Sequence, residues 1–502
     1  MAKIIVIGGG VGGLSAGIYG ALAGHSVTVI ERHGVAGGNL TGWRRGGYTI
    51  DNCIHWLTGT NPATDTYKTW VDLGALGDTE IIKCNTLYTY SDGARRFSLT
   101  RDLDEVERRM LEISPMDRRE ILALVRAVRA LQGYSGIGGP KHNRGMRPRE
   151  ILSAAPALLR YYNSNCLELS RRFKSPLLSG FIRSFLGECF SSLALVLVFA
   201  HFTAGNADLP RGGSIEMAKR IADRFKSLGG ELILNAEVTK VNHRDGVAYS
   251  ALLADGREIN GDYFVFTADP MPNYEKLFSL PLPASLKKSY ERGDMLRFSS
   301  YHTAFAVDGT LPFSGDYVFP LPDRSKIKLM ADNLILRDFS HEPSYSPEGK
   351  SILQTLVFVN EPSSKAFISL KKKDEESYKI RKERLAGETK KAIEEHFPSL
   401  AGRLELIDVW TPSTYERYTG AQIGSYMGFA LPKKCIPKRS SSEIPELENA
   451  FLATQWQLAP GGLPTAAELG KLAIKKICAK EAAKFKRKGL RRRYRPRPAM
   501  QS

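Results

Sequence analysis

Two hydrophobic periods alternate along this chain, and its first thirty residues contain both. Residues 4–7 (Ile-Ile-Val-Ile) form an unbroken apolar run, the pattern of a short parallel strand buried on both faces. Residues 14–23 are small or apolar and predict a buried helix that stops at Gly24-His25-Ser26, and residues 27–30 predict a second strand. From about Asp102 to Ala204 the period is helical. Over residues 118–131, Ile121, Leu124, Val125 and Val128 share one face, opposite Arg118, Arg119, Arg126 and Arg129. The uncharged stretch 189–207 holds Ser191, Ser192, His201, Thr203 and Asn206, which makes it a poor membrane span and predicts a buried helix instead. An α/β pattern then returns: a helix over 215–228, strands over 231–234 and 238–241, a hairpin around Ala254-Asp255-Gly256, and a buried strand over 263–267. Residues 271–429 read as strand-rich, interrupted by one charged helix over 371–397. A last strand at 451–453 precedes a helix over 465–480.

The first strand, helix and second strand enclose Gly8-Gly9-Gly10-Val11-Gly12-Gly13 and end on Glu31. Each part suits a dinucleotide. Gly8 permits the sharp turn, Gly10 lets backbone approach a pyrophosphate, and Gly13 lets the helix pack on the strand. The helix start at Leu14 aims free N–H groups and a positive dipole end at the phosphates. Glu31, about 20 residues on, is placed to accept both hydroxyls of an adenosine ribose and disfavours a 2′-phosphate. No second turn of this kind occurs, so one dinucleotide has a recognisable home.

Composition changes the picture in one respect. Hydrophobic content of 42% and charged content of 25% are ordinary for a globular protein, and 502 residues imply two domains or one interrupted domain. The net charge of +18 is unusual. Residues 479–502 carry ten Lys or Arg and one Glu, half of that excess. Six dispersed cysteines without a CxxC pair suggest reduced thiols, and no metal site is read. Folding sequence starting within three residues of Met1 leaves no room for a signal peptide and favours a cytoplasmic location.

Five blocks taken together resemble the phytoene desaturase, carotenoid isomerase and retinol saturase group of FAD-dependent oxidoreductases. They are the opening turn continued through Glu31-Arg32-His33-Gly34-Val35-Ala36-Gly37-Gly38-Asn39-Leu40; Leu209 to Ser214 with Asn235 to Val238; Ala268-Asp269-Pro270; Thr411 to Thr419; and Phe451 to Pro464. The resemblance implies FAD rather than NAD. It implies a Rossmann-like α/β FAD-binding domain assembled from discontinuous segments (1–90, 206–270 and 431–480), a mixed α+β substrate domain (helical 91–205, strand-rich 271–430), and a basic tail (481–502). It also implies that Gly8, Gly10, Gly12, Gly13, Leu14, Glu31, Arg32, Gly37, Gly38, Asn39, Leu40 and Val238 bind the cofactor, together with Gln455, Gly461, Gly462 and Leu463 near the flavin. Gln455 stands where similar proteins often have an acid, and its amide still donates and accepts.

The implied reaction is at a carbon–carbon bond of a hydrophobic isoprenoid or polyene: desaturation, saturation or isomerisation. Residues 48–57 are more similar to the retinol saturase type of segment than to the desaturase type. His55, flanked by Ile54 and Trp56, is the candidate proton donor, and Cys53 is a weaker candidate. The aromatic and aliphatic load of residues 173–202 reads as plain core more readily than as a substrate tunnel. The arginine face of 118–131 reads as the solvated side of a surface helix more readily than as a membrane contact, whereas the basic tail is expected to meet an anionic membrane surface, making the protein peripheral on the inner face, with nucleic acid not expected as a partner. A flavin amine oxidase and a non-catalytic prenyl-binding escort of the same fold remain as alternatives.

Overall fold

The computed structural model describes residues 1–134, 148–291, 295–321 and 332–493; the side chains of 148–151, 153 and 484–493 lie outside that description. Five parallel strands form the first sheet, in the order Glu231–Ile233, Ser26–Ile30, Lys3–Ile7, Tyr263–Phe266 and Ala450–Leu452. They come from three distant parts of the chain. Val6, Val29, Val265 and Phe451 are buried in the core on one face and Ile7, Ile30, Phe266 and Leu452 in the core on the other, as both-face burial of a parallel sheet requires. Helix Val11–Leu22 packs along helix Leu463–Arg493, and glycines make this contact close: a Cβ on Gly470 would lie 2.4 Å from the Gly12 carbonyl oxygen.

The second sheet has seven strands, in the order Leu404–Trp410, Phe298–Asp308, Lys350–Asn360, Asn333–Asp338, Asp316–Pro320, Thr86–Ser91 and Arg96–Thr100. Asp316–Pro320 and Thr86–Ser91 pair in parallel and the other neighbours antiparallel. Helices from Leu103 to Thr203 cover one end, sharing a core in which Tyr88, Phe181 and Phe185 stack.

Three expectations need correction. Residues 271–291 are not strands: helices Pro270–Phe278 and Ala284–Glu291 open this section, the first capped by Asp269, whose carboxylate accepts from the Met271 N–H at 3.1 Å. The charged helix is two helices, Glu361–Lys373 and Glu375–His396, because Asp374 leaves helical geometry and caps the second by accepting from Ser377 N–H at 2.9 Å. The final helix runs to Arg493, well past residue 480, through Ala, Lys and Arg, which are good helix formers. The tail side chains beyond 483, and residues 494–502 entirely, lie outside the described residues. Among the described residues no helix is long and apolar enough to cross a membrane.

Candidate functional site

Beyond the carboxyl ends of the parallel strands lies a cavity of about 840 Å³ that runs from the first sheet to the helical layer. Its first end is walled by backbone. Gly8 has φ +103°, and a Cβ there would meet Thr267 Oγ1 at 2.5 Å. Gly37 (φ +128°) and Gly38 (φ +62°) form a second turn lying against the first, with Gly37 N–H donating to the Gly9 carbonyl at 2.8 Å. Helix Val11–Leu22 opens here with its first-turn amides free of intrahelical partners, and Gly462 (φ +136°) leads into the start of helix Leu463–Arg493.

Glu31 ends the second strand, 7% exposed. Its two carboxylate oxygens accept from Gly9 N–H at 2.7 Å and His33 N–H at 3.0 Å, which fixes the side chain beside the turn. Arg32 donates to the carbonyls of Arg417 (2.9 Å) and Tyr418 (2.6 Å), and His33 stacks on Tyr418 with ring centres 4.2 Å apart. The block at 411–419 is thereby tied to the end of the second strand. A wall without side chains, two helix starts and a held carboxylate fit a dinucleotide.

Of the residues expected to bind it, all but two line the cavity: Gly8, Gly10, Gly12, Glu31, Arg32, Gly37, Gly38, Asn39, Leu40, Val238, Gln455, Gly461, Gly462 and Leu463. Gly13 and Leu14 do not. A Cβ on Gly13 would lie 1.9 Å from the Gly8 carbonyl oxygen, so Gly13 shapes the turn, and Leu14 is fully buried in the core behind it. Missing from the sequence reading were Asn273 and Lys276, and Tyr418 stood there only within the block 411–419 with no role; all three come to this end from later elements.

The other end is walled by side chains, among them Trp56, Phe185, Leu186, Phe190, Phe298 and Phe358. Helix Ser192–Thr203 explains its own apolarity here. Leu195, Val196, Phe199, Ala200 and Phe202 face the core, whereas Leu193, Ala194, Leu197, Val198 and His201 line the cavity. The plain-core reading of this stretch therefore holds for one face and fails for the other, since helical spacing cannot separate a wall of core from a wall of cavity.

His55 borders this end. Its loop is held by Asp51, 2% exposed, whose carboxylate accepts from Ser214 N–H (2.7 Å), Ser214 Oγ (2.5 Å), Cys53 N–H (3.1 Å) and Tyr345 Oη (3.2 Å). Nδ1 of His55 lies 3.9 Å from Asp316, and Asp316 lies 3.5 Å from Arg337, whose guanidinium also donates to the Ile54 carbonyl at 2.6 Å. Nε2 of His55 has no partner among the described residues. Burial, reinforced by the Arg337 charge, lowers its pKa below the ordinary histidine value, so the ring is neutral near pH 7. Burial pushes the Cys53 thiol up to about 12, which keeps it protonated and inert. Among the described residues no group of three His, Cys, Asp or Glu is arranged to hold a metal.

The sequence pattern of the flavin containing amine oxidoreductase family matches residues 11–381, and the chain belongs to that family. Prolycopene isomerase 1, chloroplastic, of an Oncidium hybrid cultivar is 26% identical over 476 residues, 86% of this chain and 76% of that protein. A 4,4'-diapophytoene desaturase of Methylomonas sp is 22% identical over 533 residues, 96% of each. A putrescine oxidase solved with putrescine bound shares the fold, with a TM-score of 0.60 and 16% identity over 95% of this chain and 99% of that one. So does an oxidoreductase from Methanosarcina mazei, at 0.61 and 16% over 94% and 100%. The protein is an FAD-dependent oxidoreductase.

Proposed function

We propose that this enzyme acts on a carbon–carbon bond of a long apolar polyene. One observation carries the reading: the cavity continues past the glycine turns into a section lined by aromatic and aliphatic side chains from several elements. Such a wall offers a rod-like hydrocarbon dispersion contact along its length and excludes water from the reacting carbons. The names of the relatives, prolycopene isomerase and diapophytoene desaturase, belong to the same substrate class.

Bound FAD supplies the hydride chemistry. The chain's part is to bind, orient and move protons. The turns at 8–13 and 37–38 and the helix start at Leu463 hold the dinucleotide, Glu31 takes the ribose hydroxyls, and Trp56 and Phe185, stacked with ring centres 5.3 Å apart, align the substrate. His55 holds its proton on Nδ1 towards Asp316 and exchanges one at Nε2. An unsatisfied buried nitrogen costs about 1–3 kcal/mol, and a partner present only with substrate gives a reason for keeping it.

The solved amine-oxidising relative raises the alternative of a cationic amine. Asp316 is the carboxylate on this side of the cavity, and Arg337 already matches its charge, which leaves a cation poorly served. The test is anaerobic absorbance of the bound flavin with polyenes in detergent micelles and reductants, read against product mass. Bleaching or reoxidation with a gain or loss of two hydrogens, or turnover at unchanged mass, is expected. Peroxide formation from amines with no change in any polyene overturns the reading.

A further inference from the structure

The apolar end of the cavity reaches Leu158 and Ile436, beside the chain's least covered hydrophobic side chains. Among the described residues, the large hydrophobics at least 70% exposed are Met1, Met116, Leu152, Leu159 and Ile436. Apart from Met1 they share one corner. Leu152 and Leu159 are seven residues apart on helix Pro148–Tyr162 and so lie on one face, with the exposed Pro156 between them. Leu158 of this helix and Ile436 both line the cavity, and two hydrogen bonds join their segments: Tyr162 Oη to the Lys434 carbonyl and Lys434 N–H to the Tyr162 carbonyl, both 2.8 Å. Met116 shares a surface groove with Arg160, next in sequence to Leu159.

Positive charge surrounds this corner. Arg118, Arg119 and Arg126, exposed, line the same groove as Met116, and Lys434, Lys438 and Arg439 are exposed on the segment that carries Ile436. The nearby acids are taken up: Glu120 by Arg160 at 2.6 Å and Glu168 by Lys433. An isolated exposed leucine needs no explanation, but four such side chains around the segments that carry Leu158 and Ile436 to the cavity, ringed by arginine and lysine, do.

We propose that this corner docks on the surface of an anionic lipid bilayer, with Leu152, Leu159, Met116 and Ile436 entering the acyl boundary, the basic ring at the headgroups, and the cavity mouth opening into the lipid. Apolar side chains within a basic rim match the two layers of an anionic leaflet. The same surface must also admit the substrate, which a protein partner seated there would block. The inference takes from the proposed function only that the substrate is lipid-soluble.

The experiment is co-sedimentation of the holoenzyme with vesicles of phosphatidylcholine, with and without phosphatidylglycerol. Leu152→Asp/Leu159→Asp is expected to lower partition onto mixed vesicles at least about tenfold, with flavin absorbance retained. Arg118→Glu/Arg126→Glu is expected to lose about tenfold on mixed vesicles only. Ile380→Asp, exposed on helix Glu375–His396, is the control and is expected to bind as the parent does. Wild-type partition by the leucine double variant, or binding abolished by truncation before Lys484 while the corner variants still bind, overturns the proposal. So does a leucine variant that splits a dimer in sedimentation velocity without changing vesicle binding. Because the readout needs no turnover, a protein that docks by this corner yet transforms no polyene refutes the proposed substrate alone.

Discussion

The two ends of the cavity are built from different material. At the first sheet the wall is backbone, bent through glycine conformations that a side chain would strain and closed to within carbon–oxygen contact: a Cβ on Gly12 would lie 2.7 Å from the Ala453 carbonyl oxygen. At the helical layer the wall is side chains from strands, loops and helices, each with neighbours that repack. A backbone wall has one solution, whereas a side-chain wall needs only volume and apolarity. Change at the first end should be all or none. Change at the second should be graded.

The largest effect is expected from Gly13→Ala. Its Cβ would sit 1.9 Å from the Gly8 carbonyl oxygen, an atom fixed by the first sheet, so relief requires moving the turn. We expect a protein purified without flavin bands and destabilised by about 3 kcal/mol in urea. Gly24→Ala calibrates this. Gly24 also has positive φ (+80°), but nothing lies within 4 Å of its Cβ position, so the cost is backbone strain of about 1 kcal/mol and flavin is retained. Equal behaviour of the two variants would remove the steric account of the backbone wall.

Next in size is His55→Phe, which keeps an aromatic ring and removes both nitrogens. A proton-exchanging His55 predicts a fall in kcat of about 100-fold with flavin content and substrate KM little changed. A KM shift alone would make the ring part of the wall. Smaller still is Leu197→Ala on the cavity face of helix Ser192–Thr203. A few-fold rise in KM and unchanged flavin absorbance are expected, with Leu197→Met nearly silent. If Leu197→Ala strips the flavin, the separation into two ends is wrong.

The same contrast decides what was legible in the sequence. The turn from Gly8 to Gly13 and its acid Glu31 are contiguous, and their geometry is written in glycine, so the first end could be read before any fold existed. His55 was visible as a lone polar residue in an apolar run, but its setting was not. Asp316 and Arg337 reach it from strands Asp316–Pro320 and Asn333–Asp338, and Asp51 holds its loop through Ser214, 163 residues on. Pairings across such distances leave no local period. Helix Ser192–Thr203 failed for another reason: its cavity face and its core face are both apolar, and the pattern records apolarity without recording what lies opposite.

The smallest effect concerns pH, and here the two ends pull in opposite directions. At the apolar end His55 and His201, which both line the cavity, have pKa values lowered by burial. When pH falls through about 6.5 the unfolded chain takes up their protons and the folded chain does not, so stability is lost at up to about 1.4 kcal/mol per histidine per pH unit. At the first end Asp269, buried and bound to Tyr290 Oη, Gln422 N–H and Met271 N–H, has its pKa raised by burial to about 6. Between that value and the ordinary 3.8 the folded chain holds the proton and the unfolded chain does not, so stability is gained as pH falls. Two histidines outweigh one carboxyl, and Tm is expected to drop between pH 7.5 and 5.5. Asp269→Asn, which cannot take up the compensating proton, should make the drop steeper below pH 6, and His55→Phe should make it shallower. A slope that neither variant changes would place the acid sensitivity outside the cavity altogether.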